Sequence, residues 1–244
     1  MRNVKATIEY DGTGFFGFQK QSSVRTVQGE LEYAAASVFG ERVSVIGAGR
    51  TDAGVHAVEQ VVSFKVPGPI PTANLVCVLN DRMPADLCIR RCVEVDESFH
   101  ARRSALSRTY VYTVLSREEP AAILGRYAWQ VSKPLDVDLM QEAAQAFVGT
   151  RDFASFGMPM RIGESTVRRV IGVGALRQGD AIRFAIKANA FLRGMARAIV
   201  GALVEVGQGK RRIESLPAMI EACDRRAAGV IAPPQGLCLT KVEY

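Results

Sequence analysis

Nine residues, Gly49-Arg50-Thr51-Asp52-Ala53-Gly54-Val55-His56-Ala57, hold the clearest chemical pattern in the chain. They place one carboxylate between two glycines, with a cation on one side and an imidazole on the other. They follow the apolar run Val43, Val45 and Ile46, which reads as a buried strand. Asp52 therefore sits on a short loop at a strand end, where a fold presents an acid to a substrate. A carboxylate so placed can attack an electrophilic carbon or stabilise developing positive charge. The competing reading is that Thr51 or Asp52 caps a helix starting at Ala53, since both residue types accept a first-turn N–H well.

Other groups of the same kind lie further along. Tyr110 opens an alternating segment just past Phe99-His100-Ala101-Arg102, and Lys187 and Arg197 flank Asn189-Ala190-Phe191. Arg193 and Arg197 are four apart and are expected to share one helical face. An aspartate, a tyrosine and an arginine meeting in a basic cleft is the arrangement these positions allow.

The whole chain narrows the chemistry. Its 244 residues carry 31 basic and 25 acidic side chains, a net charge of +6. Arginines gather at 102, 103 and 108, at 161, 168 and 169, and at 193, 197, 211 and 212. That excess points to a polyanionic partner, and arginine is the residue whose planar fork meets phosphate oxygens. The 5 cysteines are an odd number, and with only His56 and His100 beside them a zinc site is not expected. No Walker loop or dinucleotide glycine fingerprint occurs, which disfavours nucleotide cofactors. With no signal-peptide pattern and no apolar run of spanning length, a reduced cytoplasmic protein is expected.

The positioning elements follow from periodicity. Val4, Ala6, Ile8 and Tyr10 alternate with Lys5, Thr7 and Glu9, a half-buried strand closed by the turn Asp11-Gly12-Thr13-Gly14. Val27, Leu31, Ala34, Ala35 and Val38 recur at helical spacing up to Gly40. Strands near 43–47 and 61–66, a helix near 72–79 and a strand near 87–95 complete a β-α-β-β-α-β half. The order recurs: strands at 108–115, 168–176, 181–188 and 237–242, helices at 138–148, 191–206 and 215–223, and an inserted strand near 127–131. Gln178-Gly179-Asp180 marks a hairpin. Phe153–Thr166 fits no element and is expected to be a mobile loop. The fold class expected is thus α+β: two ferredoxin-like halves, 1–104 and 105–244, related by a pseudo-twofold. Their sheet is mixed but largely antiparallel, with helices on one face and a central basic cleft.

Six motifs in order carry a family resemblance. Tyr10-Asp11-Gly12-Thr13 with Gly17-Phe18-Gln19, the Gly49–His56 loop, Phe99-His100-Ala101-Arg102, Arg108-x-Tyr110, Asp152-Phe153-x-Ser155-Phe156 and Lys187–Leu192 resemble tRNA pseudouridine synthases of the TruA type. The resemblance spans nearly the whole chain. It implies isomerisation of uridine at positions 38, 39 and 40 of the tRNA anticodon stem-loop by a homodimer, with no cofactor and no metal. Position by position it makes Asp52 the catalytic aspartate, Tyr110 the ring that stacks on the target base and Arg197 the cation paired with the aspartate. It gives Arg50 to the flipped nucleotide. Phe99, His100, Ala101, Arg102 and Arg103, with Met160, Arg161, Ile162, Gly163 and Glu164, fall in segments that touch tRNA. Lys187, at a strand end, reads either as structural or as ringing the cleft, with the cleft preferred. One departure is visible at Arg103, where the family pattern has an aromatic residue.

The remaining candidates have plainer readings. His56 is expected to be structural or RNA-contacting rather than a general base. Phe15, Phe16 and Phe18, like Phe191, Met195 and Ile199, read as core. Two other functions compete: a non-catalytic RNA-binding module, and a glycosidase. A binder has no need of a carboxylate that repels phosphate, and the loop offers only one acid where a glycosidase uses a pair.

Overall fold

The computed structural model describes residues 1–161 and 163–244; Ile162 lies outside them. The chain divides into two compact units, Met1–Leu106 with Leu239–Tyr244, and Ser107–Cys238. It is α+β, with five α-helices among the described residues; the described strand pairings within each unit are antiparallel except one parallel pair in the second unit. Among the described residues no helix is long and apolar enough to cross a membrane.

In chain order the first unit contains β1 (Arg2–Tyr10), α1 (Val27–Phe39), β2 (Ile46–Gly47), β3 (His56–Val66), α2 (Leu75–Asn80) and β4 (Leu87–Val95). β1 buries Val4, Ala6, Ile8 and Tyr10, as its alternation requires, and lies antiparallel to both β3 and β4. α1 starts where the Thr26 side chain accepts the Gly29 N–H and stops at Gly40, whose φ of 73° suits a left-handed cap. β2 is shorter than the apolar run predicts. The backbone of Val45 is satisfied by α1 instead of a strand: Gln28 Nε2 donates to its carbonyl at 3.0 Å and its N–H donates to Glu32 Oε1 at 3.2 Å. Ahead of α2, Thr72–Asn74 forms a 3-10 turn rather than the first turn of an α-helix. The Asn80 side chain then clips the helix end to both the N–H and the carbonyl of Ile89.

The second unit contains β5 (Ser107–Ser116), β6 (Trp129–Val131), α3 (Val137–Ala144), β7 (Gly149–Asp152), β8 (Val167–Gln178), β9 (Ala181–Ala188), α4 (Met195–Gly207) and α5 (Leu216–Glu221). β10 (Leu237–Glu243) carries the chain back to the first unit. The strands run β5–β9–β8–β7, with β6 parallel beside β5. Gly179, at φ 60°, turns β8 into β9 as the hairpin signal predicts.

Three expectations fail here for local reasons. α4 begins at Met195, not at Phe191, because Gly194 sits at φ 77° and interrupts helical backbone. Arg193 consequently lies outside the helix, bridged to Met158 in both directions at 3.2 and 2.9 Å, and shares no helical face with Arg197. The start of the segment expected to be a mobile loop is packed instead. Phe153, Ser155 and Phe156 are fully buried, and the Phe156 ring meets Phe147 edge-on at 5.1 Å.

Candidate functional site

The acidic loop is a turn, not a helix start. Val55 N–H donates to the Asp52 carbonyl at 3.2 Å, and Gly54 at φ 78° occupies the position where such a turn needs left-handed backbone. The chain passes straight into β3, so the capping reading of Thr51 and Asp52 does not hold. Asp52 is half-buried and Arg50 exposed.

The loop is bracketed by the segment that follows β1. Phe18 N–H donates to the Thr51 carbonyl at 3.0 Å, Gly54 N–H to the Phe15 carbonyl at 3.3 Å, and the Tyr10 and Thr51 hydroxyls pair at 2.9 Å. From β3, the buried Gln60 donates Nε2 to the Gly49 carbonyl at 2.9 Å. Two glycines make this closeness possible. A Cβ on Gly12 would lie 2.1 Å from the Val55 carbonyl oxygen, and one on Gly17, at φ 86°, would lie 2.7 Å from that of Thr51. No side chain fits either place without moving the loop backbone.

His56 is buried beneath this turn. Its Nδ1 lies 3.0 Å from the Gly12 N–H and 3.1 Å from Asp11 Oδ1. The neutral ring accepts from Gly12, and the protonated ring donates to Asp11; in either form it braces the bracket. Phe15 and Phe18 are core residues as expected, but Phe16 is 61% exposed and is not.

The Phe99–Arg103 segment belongs to the same unit. Ala101 is fully buried, with its N–H on Ser63 Oγ at 3.1 Å and its carbonyl accepting the Tyr244 hydroxyl at 2.9 Å. It anchors the segment and offers no surface to RNA. Phe99 packs on Tyr244 at 5.0 Å, with Lys5 over both rings. His100 Nδ1 accepts the N–H groups of Arg102 and Arg103, whose own side chains are exposed.

In the second unit, Tyr110 on β5 is buried with its ring edge-on to Phe191 at 4.9 Å. Its strand neighbour Thr109 pairs with Lys187 of β9, so Tyr110 and Lys187 lie on adjacent strands. Arg197 occupies the first turn of α4 and donates Nε to the Ala232 carbonyl at 2.7 Å. The expected tRNA-contacting residues Met160, Arg161, Gly163 and Glu164 include two that are bonded to each other through a side chain. Glu164 accepts the Met160 N–H at 3.2 Å, while Arg161 and Gly163 are exposed. Ile162 is the member of that stretch outside the described residues.

The family model described as tRNA pseudouridine synthase matches residues 6–102 and 143–244. The chain belongs to the tRNA pseudouridine synthase family. Among relatives in that family it is 43% identical over 244 residues to tRNA pseudouridine synthase A 2 of Clostridium perfringens, with all of both chains covered. It is 43% identical to tRNA pseudouridine synthase A of Caldicellulosiruptor bescii and 44% identical to that of Brevibacillus brevis, again over the whole of both chains. A much weaker likeness is to a chain of a solved Cbf5-Nop10-Gar1 complex. It has a TM-score of 0.35 and 12% identity, and spans 96% of this chain and 57% of that one.

This pseudouridine synthase also contains a clamp that sequence reasoning missed. Arg25 stacks on the Phe15 ring at 4.2 Å, reaches Asp86 through two 2.7 Å bonds and meets Glu30 at 3.0 Å. The Asp86 carbonyl accepts the Asp11 N–H at 3.0 Å, so the clamp ties the bracket to the start of β4. Bonding to Arg25 holds the Asp86 carboxyl below the usual carboxylate range. The unfolded chain then binds the extra proton, so stability rises with pH through this window. The clamp's contribution is fully present above about pH 4 and is lost as pH falls through the lower folded value. Asp86→Asn is expected to flatten that acid limb, which urea unfolding at pH values from 2 to 6 will show; an unchanged limb contradicts it.

Proposed function

We propose that this chain, an isomerase of the tRNA pseudouridine synthase family, converts uridine to pseudouridine at positions 38, 39 and 40 of the anticodon stem-loop. Asp52 serves as nucleophile on a flipped-out base. The observation that carries the reading is the Gly49–Val55 turn, which holds one half-buried carboxylate on backbone fixed by Tyr10, Phe15, Phe18 and Gln60. Preorganisation of that kind is what a reacting group needs.

The reaction breaks the C1′–N1 bond of uridine and forms a C1′–C5 bond. The C5 proton leaves and N1 gains one, so atoms and electrons balance without an oxidant or an energy source. The carboxylate acts either at C6 of the uracil or at the cationic C1′, and both routes use the same side chain. On the family pattern Arg197 is the cation that pairs with the carboxylate. Tyr110 stacks on the extruded uracil and, itself or through a water, takes the C5 proton. Extruding a base from a stem costs a few kcal/mol. Arg50, Arg102, Arg103, Arg161 and Lys187 offset that cost on phosphates, with Phe99, His100, Met160, Gly163 and Glu164 supplying the surface around them and the buried Ala101 anchoring its segment. On the family pattern the two units are ferredoxin-like halves of one plan, and the working species is a cytoplasmic homodimer.

Incubation with unmodified tRNA transcripts, followed by carbodiimide-dependent primer extension, tests the substrate assignment. Stops are expected at positions 38, 39 and 40 wherever these are uridine. Pseudouridine only in other arms of tRNA, or only in ribosomal RNA, overturns it.

A further inference from the structure

We infer that Arg225, close to Arg197, binds a backbone phosphate of the tRNA beside the target uridine. The inference deepens the function proposed above and rests on its pairing of Arg197 with the catalytic carboxylate.

The segment after α5 lies hard against α4. The Val230 carbonyl oxygen is 1.9 Å from where a Cβ on Gly201 would be, so only glycine admits it. Arg197 is tied to this segment twice: its Nε donates to the Ala232 carbonyl at 2.7 Å, and the Ala232 N–H donates to the Arg197 carbonyl at 3.1 Å. The other end of the segment is fixed by the fully buried Ser155. Its Oγ accepts the Asp224 N–H at 3.0 Å, and its carbonyl accepts Arg225 Nη1 at 2.9 Å.

The two neighbouring arginines differ in one respect. Arg226 is exposed and pairs with Asp224 at 2.6 Å. Arg225 is half-buried, is held by a neutral carbonyl, and meets no carboxylate among the described residues. Burial, and after it the charge of Arg197, pushes the Arg225 guanidinium below its ordinary range. Holding a guanidinium partly out of water and near a like charge is unfavourable until an anion arrives. The substrate brings one phosphate per nucleotide, and a guanidinium fork matches its oxygens in pairs. The 153–157 segment thereby gains a role, because its buried serine aims this cation.

The test is equilibrium binding of an unmodified tRNA transcript across a salt series, with Arg225→Gln and Arg225→Lys, alongside turnover. Arg225→Gln is expected to weaken binding roughly 10-fold and to reduce the slope of log Kd against log salt by about 1. The loss falls on KM rather than kcat. Arg225→Lys is expected to restore the slope but not the full affinity, since the charge returns without the fork. Wild-type affinity and slope in Arg225→Gln overturn the inference. So does a kcat loss with an unchanged slope, which would mean Arg225 acts only through Arg197. If the Gln variant does not fold, the Lys variant decides: weaker binding at wild-type slope supports the site, and unchanged affinity refutes it. Binding is read in the Asp52→Asn background and turnover in the otherwise wild-type chain, so a wild-type protein that binds tRNA but forms no pseudouridine defeats the proposed function separately.

Discussion

Asp52→Asn is expected to form no detectable pseudouridine while still binding tRNA at least as tightly as the wild type. The amide keeps the size of the side chain and its place on the 49–55 turn, but it is no nucleophile. Removing a group that forms a covalent bond to substrate costs at least about 10^3-fold in rate. Binding moves the other way or not at all, since a carboxylate near a polyanion is repulsive. Nucleoside composition of tRNA digested after a single turnover reads the first effect, and filter binding reads the second. Near-normal conversion removes Asp52 from the chemistry; a collapse in affinity with residual turnover makes it a binding residue.

Gly17→Ala is the second large effect, and it separates position from identity. The alanine methyl would sit 2.7 Å from the Thr51 carbonyl oxygen, on backbone at φ 86° that L residues rarely adopt. The strain costs about 1–3 kcal/mol, and the loop must also move away. Displacing a reacting group by about 1 Å can cost 10^2-fold in rate. The expected result is a loss of that order in single-turnover rate with tRNA affinity retained. Gly40→Ala is the control: Gly40 has a similar φ of 73°, but nothing lies within 4 Å of its Cβ position. It is expected to lower stability in urea unfolding and leave turnover alone. Equal activity losses in the two variants would mean that strain, not loop displacement, is responsible.

What the amino-acid order discloses depends on whether the deciding force is local. β1 and β9 are legible because one face of each is buried, and a period of two registers that directly. β2 is not, because side chains of α1, distant in sequence, take over the Val45 backbone. The start of α4 is misread because Phe191 continues the helical spacing of apolar residues, whereas Gly194 breaks the backbone. Phe16 looks like its neighbours Phe15 and Phe18 by type, yet it faces water. The Asp52 loop is legible from its flanking glycines, but the bracket around it is not. Gly12 and Gly17 carry a signal of close approach, and only the fold reveals that they approach Val55 and Thr51. Arg225 is harder still, since nothing in its spacing distinguishes it from the exposed Arg226 beside it.

The catalytic role of this protein is tested most directly by release of tritium when a pure preparation is mixed only with an unmodified tRNA transcript labelled at C5 of uridine. Breaking the C5–H bond is unavoidable if that carbon is to join C1′, so each conversion frees one label into water. Release in step with the number of uridines at positions 38, 39 and 40 is the predicted result. Tight binding of the same transcript with no label released would contradict it.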